Sequence, residues 1–125
     1  MPPPILIVDD EETILFAMRE YFTTFGYGVD CARELEEAKA LLAQTSYALL
    51  IADLRLTGSH GTEGLELIEY VRQRQPSTRV ILLTAYGSPV IEREARQRRV
   101  DAFLHKRMSL PEVAQVVAEL LREEA

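Results

Sequence analysis

Cysteine is almost absent from this chain of 125 residues: Cys31 is the single one, and it can build neither an intramolecular disulfide nor a thiolate zinc cluster. That usage leads one to expect a reducing, cytoplasmic compartment. Long apolar runs are missing as well, since none approaches the ~20 residues a membrane-spanning helix requires. Met1-Pro2-Pro3-Pro4 puts no basic flank before the first apolar stretch, so a secretory signal is not expected. Positive charge is in deficit, with 14 basic residues against 20 acidic ones and a net charge of −6. Phosphate backbones repel such a domain, and direct nucleic-acid binding is not expected. No glycine-rich phosphate loop follows the first apolar run, which leaves a nucleotide- or flavin-binding reading unsupported. His60 and His105 lack metal-ligand spacing, and Ser59-His60 has no G-x-S-x-G elbow around it. What is present is an ordinary globular balance, 47% hydrophobic and 27% charged, at a length that fits one domain over residues 1–125.

Short apolar runs alternate with amphipathic stretches. Pro4-Ile5-Leu6-Ile7-Val8 has strand length and ends at Asp9-Asp10. Ile14, Leu15, Met18, Tyr21, Phe22 and Phe25 then recur at helical spacing, with Gly26 where a helix C-cap belongs. Residues 28–32 read as a short second strand holding Cys31 as a small core residue, and residues 34–43 as a second helix. Residues 48–52 form a third strand ending at Asp53; Leu65, Leu67, Ile68 and Val71 mark a third helix that stops before Pro76. Residues 79–83 make a fourth strand ending at Thr84, followed by a weakly apolar helix after Ser88-Pro89. Residues 100–105 form a fifth strand ending at Lys106, and Ser109 caps a last helix carrying Val113, Val116, Val117, Leu120 and Leu121. Five strand–helix units in strict alternation predict an α/β domain, a doubly wound parallel sheet with helices on both faces.

Parallel strands deliver their carboxyl ends to one edge, which is where such sheets bind ligands. That edge collects Asp9, Asp10, Asp53, Thr84 and Lys106 from nearly a hundred residues of sequence. Three carboxylates in one cleft repel, and burial aggravates the repulsion. A hard divalent cation such as Mg²⁺ (or Mn²⁺) relieves it. A cation, an ammonium and a hydroxyl together suit a phosphoryl group, and a carboxylate can accept one as an acyl phosphate. Asp53, central among these strand ends, is the expected acceptor. Each residue has a plainer alternative: Asp9-Asp10 as charges favoured at a helix start, Asp53 as a satisfied loop carboxylate, Lys106 as a surface ammonium.

The segments Ile7-Val8-Asp9-Asp10-Glu11, Ile51-Ala52-Asp53-Leu54, Leu83-Thr84-Ala85-Tyr86-Gly87 and Ala102-Phe103-Leu104-His105-Lys106, in this order, resemble the CheY-like receiver domain of two-component response regulators. The resemblance covers essentially the whole chain and implies the flavodoxin-like (βα)5 fold with strand order 2-1-3-4-5. It implies a switch, not a turnover enzyme. A sensor histidine kinase or histidine phosphotransfer protein phosphorylates Asp53. Asp10 holds Mg²⁺ directly, Asp9 mainly through water, and Asp53 and the Arg55 backbone carbonyl complete the protein ligands. Thr84 and Lys106 grip the phosphoryl oxygens, and small Ala85 leaves them room. Phe103 falls at the family's switch-aromatic position, coupled to Thr84; plain core packing is its alternative. The surface made by the fourth helix, fifth strand and fifth helix would then change its dimerisation or partner binding.

This chain departs from the family pattern in three places. Arg107 follows Lys106 where proline with a cis bond is usual; a non-proline cis bond costs about 2.5–4 kcal/mol, so a trans bond and an altered reach of Lys106 are expected. Thr57 replaces the usual proline after Asp53, and Ser59-His60-Gly61 reads as an insertion before Gly64-Leu65, a lid beside the site. Arg55 and Tyr86 are bulky at positions that tune phosphate loss, which implies slow hydrolysis. Together the departures feed a rival reading, a receiver-like interaction module that works without phosphorylation. Arg93, Arg96, Arg98 and Arg99 crowd the fourth helix as a solvated face or a partner surface. No output domain follows Ala125, so the reading is either a single-domain regulator or a receiver cut from a longer chain.

Overall fold

Apolar side chains in unbroken runs form strands that are covered on both sides, and three such runs centre this structure. The computed structural model describes residues 3–54, 63–85 and 87–122. Its elements are β1 (Pro4–Val8), α1 (Glu12–Thr24), β2 (Gly28–Ala32), α2 (Leu35–Gln44), β3 (Leu49–Ala52), α3 (Glu63–Arg74), β4 (Arg79–Thr84), α4 (Pro89–Gln97), β5 (Ala102–His105) and α5 (Leu110–Arg122). All pairings are parallel and the order is β2-β1-β3-β4-β5, as the resemblance implies.

The period-2 pleat splits the central strands between two cores. Leu6, Val8, Leu50, Ala52, Val80 and Leu82 pack with Ala38 and Leu42 of α2, Leu67, Ile68 and Val71 of α3, and Ala95 of α4. Ile5, Ile7, Leu49, Ile51, Ile81 and Leu83 pack on the other face with Leu15, Met18 and Phe22 of α1 and Val113 and Val117 of α5. Fully burying one such side chain contributes about 1.5–3 kcal/mol. α4 has little of this anchorage: Ala95 is its one buried residue, and Val90 stands 59% exposed.

Helix ends follow local chemistry. Gly26, with φ 91°, follows the last turn of α1, where a left-handed residue costs glycine nothing. Ser88 caps α4 by accepting from the Ile91 N–H at 3.2 Å, with Pro89 in the first turn. Ser109 and Glu112 form a reciprocal capping box at α5: Ser109 Oγ accepts from the Glu112 N–H at 3.3 Å, and the Glu112 carboxylate accepts from the Ser109 N–H at 2.8 Å. These bonds, the backbone one foremost, hold the Glu112 carboxyl below its ordinary range.

β5 begins at Ala102 and not at Val100. Arg99 turns left-handed at φ 64°, and the Val100 N–H still donates to Ala95 O at 3.3 Å, so both residues belong to the end of α4. Asp101 then accepts from the Val80 N–H at 2.7 Å through its side chain. The second helix starts and ends one residue later than its apolar spacing predicts, and the third strand starts at Leu49. Cys31 is half-buried on the edge strand β2, packed against the α1 face without entering the core; burial pushes its thiol upward.

At the amino ends of the strands, polar side chains sew the loops together. The Arg72 guanidinium donates to Thr78 O and Arg99 O, both at 2.6 Å, to Pro76 O at 3.2 Å, and to Asp101 Oδ2 at 3.0 Å. Gln75 donates to Leu42 O at 2.8 Å and Thr45 O at 2.7 Å, and accepts from the Tyr47 N–H at 2.9 Å. The Tyr47 hydroxyl donates to Asp30 at 2.6 Å, and burial followed by that carboxylate raises the phenol.

Candidate functional site

At the carboxyl edge the sheet's own backbone ladder carries the site. The Asp9 N–H donates to Ala32 O at 3.1 Å, the Asp53 N–H to Val8 O at 3.0 Å, and the Lys106 N–H to Thr84 O at 3.1 Å. Each residue therefore continues a strand by one step, which fixes its Cα before any side chain interacts. Asp9 and Asp53 are each 3% exposed and Thr84 1%, so the polar edge is sunk between loops.

Asp9, Asp10 and Asp53 each offer one carboxylate oxygen, and the three oxygens lie within 4.8 Å of one another. Lys106 Nζ reaches this group, at 2.8 Å from Asp9 Oδ2 and 3.0 Å from Asp53 Oδ2, with Glu11 Oε1 at 3.4 Å. Burial raises the Asp9 carboxyl, and hydrogen bonds from Lys106 and the Glu11 N–H offset that only in part. Burial by itself would lower the Lys106 ammonium, but its bonds to Asp9 and Asp53 together outweigh burial and hold it above the ordinary lysine value. Among the described residues three carboxyl groups thus meet this one ammonium, with Asp10 beside them in the cluster. Clustered hard oxygen donors with excess negative charge fit a divalent cation.

The reach of Lys106 is intact despite Arg107. Among the described residues no peptide bond is cis. The trans turn after β5 is closed by the Arg107 N–H donating to His105 Nδ1 at 3.0 Å. That turn leaves the ammonium on both Asp9 and Asp53. Phe103 is half-buried against the core shared by α2, α3 and α4. Of the α4 arginines, Arg96 pairs with Glu92 at 3.2 Å and Arg98 with Glu69 at 2.6 Å and Glu94 at 2.8 Å, while Arg93 and Arg99 are exposed. Arg55, Thr57, the Ser59-His60-Gly61 insertion and Tyr86 lie outside the described residues.

Gly64 is a positioning residue that the motifs alone do not reveal. Its N–H donates to Leu54 O at 2.8 Å, and a Cβ there would collide with the Asp53 carbonyl oxygen and stand 2.7 Å from Leu54 Cα. The bare Cα lets α3 press directly on the backbone of Asp53. The sequence marks Gly64-Leu65 as the start of the third helix, but what the glycine must accommodate is not visible there.

Among the described residues no helix is long and apolar enough to cross a membrane. The response regulator receiver domain family matches residues 5–118. Response regulator protein PilR of Pseudomonas aeruginosa is 35% identical over 117 residues, covering 94% of this chain and 26% of that protein. Transcriptional regulatory protein ResD of Bacillus subtilis is 33% identical over 118 residues, covering 94% and 48%. The chain thus spans from about a quarter to about half the length of these curated relatives. Among solved structures, a CheY-like receiver domain protein of Methanospirillum hungatei superimposes with a TM-score of 0.93 at 27% identity, covering 98% of this chain and 96% of that one. The receiver domain of an HD domain-containing protein of Pseudomonas fluorescens gives 0.89 at 27% identity, covering 98% and 97%. A parallel sheet in this order, ending in this acidic cluster and its lysine, agrees with those matches, and the chain belongs to the receiver domain family of two-component response regulators.

Proposed function

We propose that residues 1–125 act as one cytoplasmic phosphoacceptor switch, with Asp53 as the acceptor. The observation that carries this reading is the position of Lys106, whose ammonium touches both Asp9 and Asp53 from across the sheet edge. A phosphorylated histidine of a sensor kinase or phosphotransfer protein is the donor. An Asp53 carboxylate oxygen attacks phosphorus, the P–N bond breaks, and its electron pair stays on the imidazole nitrogen. Lys106 and the Thr84 hydroxyl hold phosphoryl oxygens as charge shifts onto them. Asp10, Asp9, Asp53 and the Arg55 carbonyl would hold Mg²⁺ or Mn²⁺. The bound ion supplies positive charge and orientation at the phosphoryl oxygens. Water later attacks the same phosphorus, releases inorganic phosphate and restores the carboxylate, with Arg55 and Tyr86 slowing that step. Phosphorylation acts through Thr84 and Phe103 on the surface formed by α4, β5 and α5, changing dimerisation or partner binding. The domain assists its own phosphorylation and dephosphorylation and turns over no separate substrate.

The test is intact mass after incubation with acetyl phosphate and Mg²⁺, beside Asp53→Ala. One phosphoryl group on the parent and none on the variant is the expected result. An unmodified parent under conditions where Mg²⁺ binds would overturn the proposal in favour of an interaction module that needs no phosphorylation.

A further inference from the structure

We infer that Gly87 is a positioning residue for the Phe103 ring, and that the absence of a side chain at this position sets where the ring stands beside Thr84. The inference rests on the proposed phosphoacceptor reading for its functional consequence, though not for its geometry. A Cβ built on Gly87 would lie 3.0 Å from both Cε1 and Cζ of Phe103 and 3.8 Å from the Thr84 methyl. It would be a wedge between the ring and the residue proposed to grip the phosphoryl group.

Backbone conformation does not call for glycine here. Among the described residues Gly26 is the glycine with a positive φ, and Gly87 adopts angles open to other residues. The need is steric and comes from one side chain. Gly64 makes the contrast plain, since an added Cβ there meets backbone atoms that cannot move aside. At Gly87 the obstruction is the far end of a rotatable, half-buried phenyl group.

The other contacts are less free to give. Ser88, the next residue, caps α4 through its side chain, and its carbonyl accepts from the Glu92 N–H at 2.8 Å, so Gly87 cannot retreat without disturbing the first turn of α4. Thr84 is 1% exposed at the end of β4, and the β5 backbone is fixed by its ladder to β4. A methyl at position 87 is therefore absorbed by the Phe103 ring giving way by a few tenths of an ångström, with the fold kept.

A double-mutant cycle tests this. Gly87→Ala and Phe103→Ala, singly and together, are compared for ring position by NMR and for the rate of Asp53 phosphorylation by acetyl phosphate. In the parent, nuclear Overhauser contacts should join the Phe103 ring to the Gly87 α-protons, with the Thr84 methyl on the other side of the same space. Gly87→Ala should shift the Phe103 ring and Thr84 methyl resonances, reporting a displaced ring, with an unchanged circular dichroism spectrum. It should also change the phosphorylation rate by about threefold or more, the scale set by displacing a side chain from its rotamer. In the Phe103→Ala background the same substitution should change the rate by less than about 1.5-fold, because no ring is left to displace. Equal effects in both backgrounds, or Phe103 ring resonances unchanged in Gly87→Ala, would overturn the inference. If the parent takes no phosphoryl group, the phosphoacceptor reading fails, while the NMR resonances still decide the role of Gly87.

Discussion

The two ends of this sheet handle buried polar groups in opposite ways. At the amino end, Arg72, Gln75, Thr78, Tyr47 and Asp101 are linked by bonds that match donors to acceptors, mostly to loop carbonyls that no strand satisfies. At the carboxyl end, Asp9, Asp53 and Glu11 all turn to the Lys106 ammonium, with Asp10 beside them. The first arrangement pairs most of its groups, leaving the buried Arg72 Nε without a partner, and serves the fold. The second, among the described residues, gathers more carboxylates than cations and suits a divalent cation or a transferred group. The network that serves the fold and the cluster proposed to serve function are here separated by the length of one strand.

The largest expected effect tests whether the acidic end is nonetheless rigid. Gly64→Ala forces a methyl into the Asp53 and Leu54 backbone and should cost about 3 kcal/mol or more, read as a lower urea midpoint. A variant as stable as the parent would mean that α3 can slide away from the site. At the other end, Arg72→Ala removes the donor to three carbonyls and the partner of Asp101, for an expected loss of about 3 kcal/mol.

A matched pair then sets the two ends side by side. Asp101→Asn should lower stability by about 1–2 kcal/mol because Arg72 and Arg79 lose their counter-charge. Asp53→Asn, which removes a negative charge where several compete for one lysine, should leave stability unchanged or raise it by up to about 1 kcal/mol. A comparable loss in both variants would erase the distinction drawn between the two ends.

The smallest effect lies outside both ends and serves as a reference. The Glu112 carboxyl is lowered below its unfolded value of 4.5, so it stabilises the fold above that pH and ceases to do so as pH falls through the lower folded value. Glu112→Gln should lower Tm slightly at neutral pH, and the difference from the parent should vanish in strong acid.

Much of this was legible in the sequence because it depends on strand ends. Apolar runs closing on Asp9, Asp53, Thr84 and Lys106 announce both the parallel sheet and the residues gathered on its edge. The amino-end network was not legible: Gln75 lies 28 residues from the Tyr47 N–H it accepts from, and nothing local to either marks the pairing. Val100 looked like strand because it is apolar and β-branched, but the left-handed turn at Arg99 binds it to the helix before it. Gly64 and Gly87 were visible as letters only, since what each accommodates is a distant backbone or ring.

The thin anchorage of α4 bears on how such a domain can be rewired. Its active edge is assembled from the ends of separate strands and cannot be transplanted as a single peptide. The outer face of α4, by contrast, is a continuous stretch committed to the core chiefly through Ala95. New recognition specificities can therefore accumulate there one substitution at a time, with the chemistry at the sheet edge inherited unchanged.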